Sequence, residues 1–127
     1  MIVKLAQWGS VVIFLMTIVF HILVILKIIP YKLVWGGRLK SDKDMYRFEI
    51  VSLILNVFFL LVVCVRCEFI AIAINVNILR IILWIMAALF LLNTIGNLLS
   101  KNRNEKVIFT PITLLLTLFS IILAVVS

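Results

Sequence analysis

A chain of 127 residues that is 66% apolar and 13% charged, with a mean hydropathy of +1.36, lies far above the roughly 45–50% apolar share of soluble domains. So short a chain could not bury that surface in water, which excludes a soluble fold and leaves one membrane domain expected over residues 1–127. The net charge of +7 comes from short basic segments between apolar runs, which argues against nucleic acid as a partner and for an orienting role at a bilayer.

The first apolar run, about residues 8–29, is interrupted by His21 and ends at Lys27 and the helix-stopping Pro30. It lacks an A-x-A cleavage site and is too long for an h-region, so a retained helix is expected instead of a signal peptide. A polar stretch at about 30–47 follows, with Trp35-Gly36-Gly37-Arg38 and the mixed-charge run Lys40-Ser41-Asp42-Lys43-Asp44; Ser41 or Asp42 is the expected N-cap of the next helix. The second span, about 48–65, closes at Arg66-Cys67-Glu68.

From Phe69 the chain stays apolar to about Leu99, longer than one crossing needs. An interfacial segment through about Asn77 and then a span at about 79–98 is expected, with Arg80 snorkelling to the headgroups; one long tilted helix is the alternative. A basic turn at about 99–106 leads to a last span at about 107–126, with Pro111 tolerated near its start. The fold class expected is an all-α integral membrane protein, a left-handed bundle of four transmembrane helices.

Four spans place the loops at about 30–47 and 99–106 on one side, and these carry Lys32, Arg38, Lys40, Lys43, Arg47, Lys101, Arg103 and Lys106. The other side carries Lys4, Arg66 and Arg80, so both basic loops are expected in the cytoplasm and both termini outside.

Polar residues inside hydrocarbon cost several kcal/mol when unpaired, so their positions mark helix faces that avoid lipid. Ser10, Thr17 and His21 recur at spacings of seven and four; Glu49, Ser52 and Asn56 at three and four. Asn93, Asn97 and Ser100, then Thr110, Thr113, Thr117 and Ser120, repeat the pattern, and Gly96 with Ser100 forms a small-xxx-small pair. Spacings of three and four suit helices whose seams converge on a common interior. Ser, Thr and Asn in such seams more commonly serve as interhelical hydrogen-bond partners than as ligand contacts.

The strongest polar groups fall in the cytoplasmic half, which predicts a polar cavity opening inward and formed by His21, Glu49, Asn56, Asn93, Asn97 and Arg38. Glu49 and His21 are the ionisable candidates, because ionisable residues at membrane depth are functional candidates by default. The plainer readings are an interfacial Glu49 paired with Arg47, Arg38 or Lys106, and a His21 hydrogen-bonded to Glu49 or Asn56 as packing. One His and one nearby Glu are too few for a metal, and no P-loop or Rossmann glycine pattern occurs.

Cys64-Val-Arg-Cys67 is a C-x-x-C at the outer end of the second span, where Arg66 is expected to lower a neighbouring thiol pKa. The arrangement resembles the DsbB and vitamin K epoxide reductase group, which implies a redox pair passing electrons to a quinone; that group carries a second cysteine pair or a partner domain, and this chain has no third cysteine. Small multidrug exporters match in length but place their glutamate in the first helix, where His21 stands here. Fluoride channels are similar in size and carry an Asn-x-x-Gly, as in Asn93-Thr94-Ile95-Gly96, but place it elsewhere.

Along its whole length the chain resembles a group of small bacterial four-span membrane proteins, on Ile29-Pro30-Tyr31, Val34-Trp35-Gly36-Gly37-Arg38-Leu39, Phe48-Glu49, Asn93-Thr94-Ile95-Gly96-Asn97 and Phe109-Thr110-Pro111-Ile112-Thr113. The resemblance implies the fold and a bacterial inner (plasma) membrane and carries no activity. The function expected is binding or transport of a small molecule, ion or lipid headgroup in the cytoplasm-facing cavity, without enzymatic chemistry and without a cofactor. Two alternatives stand beside it: a membrane thiol oxidoreductase using Cys64 and Cys67, and an accessory bundle in a larger membrane complex. Expected partners are the lipid bilayer, a small-molecule or lipid ligand, and either a second copy or a larger complex.

Overall fold

The computed structural model describes residues 1–30, 41–99, 103 and 105–126. Four long helices account for most of them: α1 (Ile2–Ile25), α2 (Asp42–Arg66), α3 (Val76–Leu98) and α4 (Thr110–Val125), the last entered through a π-helical turn at Glu105–Phe109. All four are long and apolar enough to cross a bilayer, counting the π-helical turn from Lys106 into the last one, and no strand occurs among the described residues. The expected fold class stands: an all-α, four-helix membrane bundle.

Helix ends are set by local chemistry more than by hydropathy, which is why they differ from the expected spans. α1 starts at Ile2 instead of near Trp8, because its hydrogen-bond ladder extends beyond the strictly apolar run. It stops at Ile25, not near Ile29: Lys27 takes a positive φ of 62°, its N–H donates to Val24 O at 3.0 Å, and Ile28 N–H donates to Leu23 O at 3.0 Å. That is a Schellman closure, which satisfies carbonyls the helix leaves open. α2 ends the same way, with Glu68 at φ 62°, its N–H on Val65 O at 3.2 Å and Phe69 N–H on Cys64 O at 2.9 Å.

At its other end α2 reaches back to Asp42 because Ser41 caps it, the hydroxyl accepting from Asp44 N–H at 3.2 Å. Asp42 and Asp44 then sit in the first turn, against the positive end of the helix dipole. Residues Phe69–Asn75 are not helical; Asn75 caps α3 by accepting from Asn77 N–H at 2.8 Å. Pro111 lacks an N–H and its ring crowds the carbonyl four residues back, so the backbone widens into a π turn just before it.

The α3–α4 and α1–α2 hairpins make the most extensive contacts, α1 and α4 join them, and α2 meets α3 less closely. Phe14, Phe59 and Phe90, from α1, α2 and α3, meet as a triangle with centroids 5.7 to 6.3 Å apart. Gly9 brings α4 close to α1, since a Cβ there would lie 2.6 Å from the Phe119 ring. A smaller cluster of Val24 and Met45, edged by Phe20, Ile29 and Phe109, fills the end nearer the basic loops. The outer surface is apolar on every helix, as at Leu15, Ile54, Leu92 and Leu118, the inverse of a protein made for water.

A side chain in the left-handed region at Glu68 carries a steric cost that glycine avoids, of about 1 kcal/mol. Glu68→Gly is therefore expected to stabilise the protein by up to about 1 kcal/mol, read as a higher melting temperature in detergent.

Candidate functional site

The polar residues of the seams include some satisfied within their own helix and some that reach another, while the shielded Thr110 hydroxyl makes no hydrogen bond. Thr17 donates to Ile13 O at 2.7 Å, Asn56 Nδ2 to Ser52 O at 2.7 Å, Thr117 to Thr113 O at 2.8 Å and Ser120 to Leu116 O at 2.7 Å. These are bonds to the carbonyl one turn back, the cheapest way to hide a hydroxyl or amide in hydrocarbon. Such groups need no cavity.

Between α3 and α4 a second arrangement crosses the interface. Thr94 Oγ1 lies 3.0 Å from Thr113 Oγ1, Asn97 Nδ2 donates to Thr113 Oγ1 at 3.3 Å, and the Thr94 hydroxyl lies 2.7 Å from Phe90 O. Asn93, expected in this seam, is exposed, and Thr94, not singled out from the sequence, is buried in its place. The phase of α3 explains the correction: Leu79, Leu83, Met86, Phe90 and Thr94 form its buried stripe, and Asn97 continues it by one more step of three. Following the large apolar residues forward would have found Thr94; following asparagines did not.

Between α1 and α2 stands the ionisable pair. His21 Nδ1 and Glu49 Oε2 are in direct hydrogen-bonding contact, the Glu49 side chain fully shielded and that of His21 12% exposed. His21 also meets the edge of Phe20 at 5.6 Å between centroids, and Phe20 meets Phe109 at 5.3 Å. Six residues separate His21 from Lys27 and seven separate Glu49 from Asp42, so at 1.5 Å per residue the pair lies about 10 Å inside the basic-loop end of the helices. Beyond it, Lys27 Nζ reaches Asp42 Oδ2 at 2.6 Å, an exposed link between the same two helices.

Of the six cavity residues expected, the structure therefore joins His21 with Glu49 and sets Asn97 of α3 against Thr113 of α4. Asn56 bonds its own helix, and Asn93 faces outward. Arg38, with Trp35, Gly36 and Gly37, lies outside the described residues, as does Ser100 of the small-xxx-small pair. Glu49 does not line an open mouth. A shallow groove of about 420 Å³ does occur on the outside of α1, but its walls are the apolar Leu15, Met16, Val19, Phe20 and Leu23. Among the described residues no three His, Cys, Asp or Glu side chains gather as a metal would need.

Cys64 and Cys67 are free thiols, both partly buried at the end of α2. Burial pushes the Cys67 thiol up to about 11; Arg66 pulls the other way and loses, and Cys64 adds to the rise. The lowering expected from Arg66 is thus outweighed by desolvation. No family model, curated protein or solved structure matches the chain.

A thiol raised to about 11 is overwhelmingly protonated at neutral pH and so a weak nucleophile. Alkylation of Cys67 by iodoacetamide, followed by peptide mass spectrometry, is expected to keep accelerating from pH 8 past pH 10. A rate that levels off below pH 9 would mean an activated thiolate and a redox-competent pair.

Proposed function

We propose that this chain is a small multi-pass protein of a bacterial inner membrane that binds, and in binding moves, a small ion or molecule at the His21–Glu49 pair, with access from the cytoplasmic side. One observation carries this: a carboxylate wholly removed from solvent, held against an imidazole inside two membrane-crossing helices. Burying such a pair costs several kcal/mol per ion, and replacing a buried pair by apolar side chains is often neutral or stabilising. Stability alone does not ask for it, whereas a site that takes and releases a proton or another cation does.

Access from the cytoplasm follows from the orientation proposed with it. Excess lysine and arginine marks the cytoplasmic loops, and the loops at 30–47 and 99–106 hold the majority of this chain's basic residues. The pair lies toward that end of the bundle. Both termini are then outside, and alkaline phosphatase fused after Ser127 would be active while a fluorescent protein placed there would stay dark.

The test uses the proton as its probe. Protein reconstituted in liposomes loaded with a pH-sensitive dye is driven by a potassium diffusion potential. Wild type is expected to pass protons well above protein-free liposomes, and Glu49→Gln to lower that flux at least tenfold. The double variant His21→Leu/Glu49→Leu, expected to fold as well as wild type, should lose the flux too. Wild-type flux equal to that of empty liposomes would defeat the proposal, and so would flux surviving in the double variant.

A further inference from the structure

The end of the bundle opposite the basic loops holds two arginines that have no counter-charge among the described residues. Arg66 is the last residue of α2 and Arg80 lies in the second turn of α3, and both reach the same atom. Arg66 Nη2 donates to Val126 O in a short contact, and Arg80 Nη2 donates to it at 3.4 Å. Val126 follows α4 in extended conformation, with ψ 132°, so its carbonyl stands outside the helical ladder and can accept from both.

A carbonyl accepts hydrogen bonds but neutralises no charge. The acid–base contacts among the described residues are His21–Glu49 and Lys27–Asp42, both at the other end, and no carboxylate of a described residue lies within ion-pair distance of either arginine. The Nε atoms of both guanidiniums are shielded from solvent and have no hydrogen-bond partner. Buried donors of this kind are ordinarily satisfied, and two cations sharing one acceptor repel unless an anion lies between them.

We infer that Arg66 and Arg80 form a binding site for a phosphate group. Each guanidinium keeps a planar fork of N–H donors after its contact with Val126, and two forks match the non-bridging oxygens of a phosphate, which accept in pairs. The site also lies at the right depth. Helix ends mark the headgroup level, and the half-exposed Trp8 and Phe69, in tilted contact at 4.8 Å between centroids at the same end, are the aromatic pair expected there. The phosphodiester of a lipid is one source of the group and free phosphate the other. The site is independent of the His21–Glu49 pair; only the naming of the leaflet, the outer one, rests on the proposed orientation.

Native mass spectrometry on the delipidated protein in detergent tests this with three probes: phosphatidylglycerol, diacylglycerol of the same chains, and inorganic phosphate. One phosphatidylglycerol is expected to bind at least tenfold more tightly than diacylglycerol, and Arg66→Gln/Arg80→Gln to remove that preference. Lys4→Gln, a cation at the same end, should leave it unchanged. Saturable binding of inorganic phosphate without a preference for phosphatidylglycerol would assign the site to a free anion. Equal binding of phosphatidylglycerol and diacylglycerol by wild type, with no binding of inorganic phosphate, would overturn the inference whether or not the double variant folds.

Discussion

Hydrocarbon offers no hydrogen bonds, so every polar group carried into it must find a partner in the chain itself. That constraint arranges most of this bundle. Thr17, Asn56, Thr117 and Ser120 turn back to carbonyls of their own helices, so these donors are satisfied while the outer side of each helix stays apolar. Packing is left to shape: the Phe14, Phe59 and Phe90 triangle and the close approach at Gly9 need no polar contribution. Groups that reach across an interface are then few, and they stand out for that reason.

Of those, Thr94, Asn97 and Thr113 form a neutral cluster and tie α3 to α4 at modest worth, about 0.6 kcal/mol for an average interhelical bond in a membrane. His21 and Glu49 differ in kind. Both groups are ionisable, unlike the hydroxyls and the amide of the neutral cluster, and the Glu49 side chain is fully shielded. A neutral hydrogen bond would hold α1 to α2 without an ionisable group. Lys27 and Asp42 already link the same helices at the surface, where such pairs are worth about 0–1 kcal/mol and need no burial.

The sequence made some of this legible and hid the rest for identifiable reasons. Four crossings could be read because hydropathy is a sum over some twenty residues and tolerates local exceptions such as His21 and Arg80. The Ser41 cap could be read because its chemistry is local. Phase could not be read from polar residues alone: asparagine at the headgroup end of a helix is tolerated facing outward, so Asn93 misled while the apolar stripe through Phe90 led to Thr94. Nor does spacing reveal whether a hydroxyl bonds its own helix or its neighbour, since both choices use the same face. The C-x-x-C drew attention through its spacing, but Cys67 reactivity turns on burial against Arg66, a balance that exists only once the helices are packed.

The two ends of the bundle handle charge by different means. At the basic-loop end, Lys27 has Asp42 and His21 has Glu49, so the basic groups of α1 are met by carboxylates of α2. At the other end the nearest acid in sequence to Arg66 is Glu68, which is exposed and held by its left-handed backbone in the turn that closes α2. It forms no ion pair with either arginine. Glu68 thus sits in the Schellman closure that ends α2, while Arg66 and Arg80 share a carbonyl. A phosphate group bound there, as inferred above, would supply at this end the negative charge that carboxylates of α2 supply at the other.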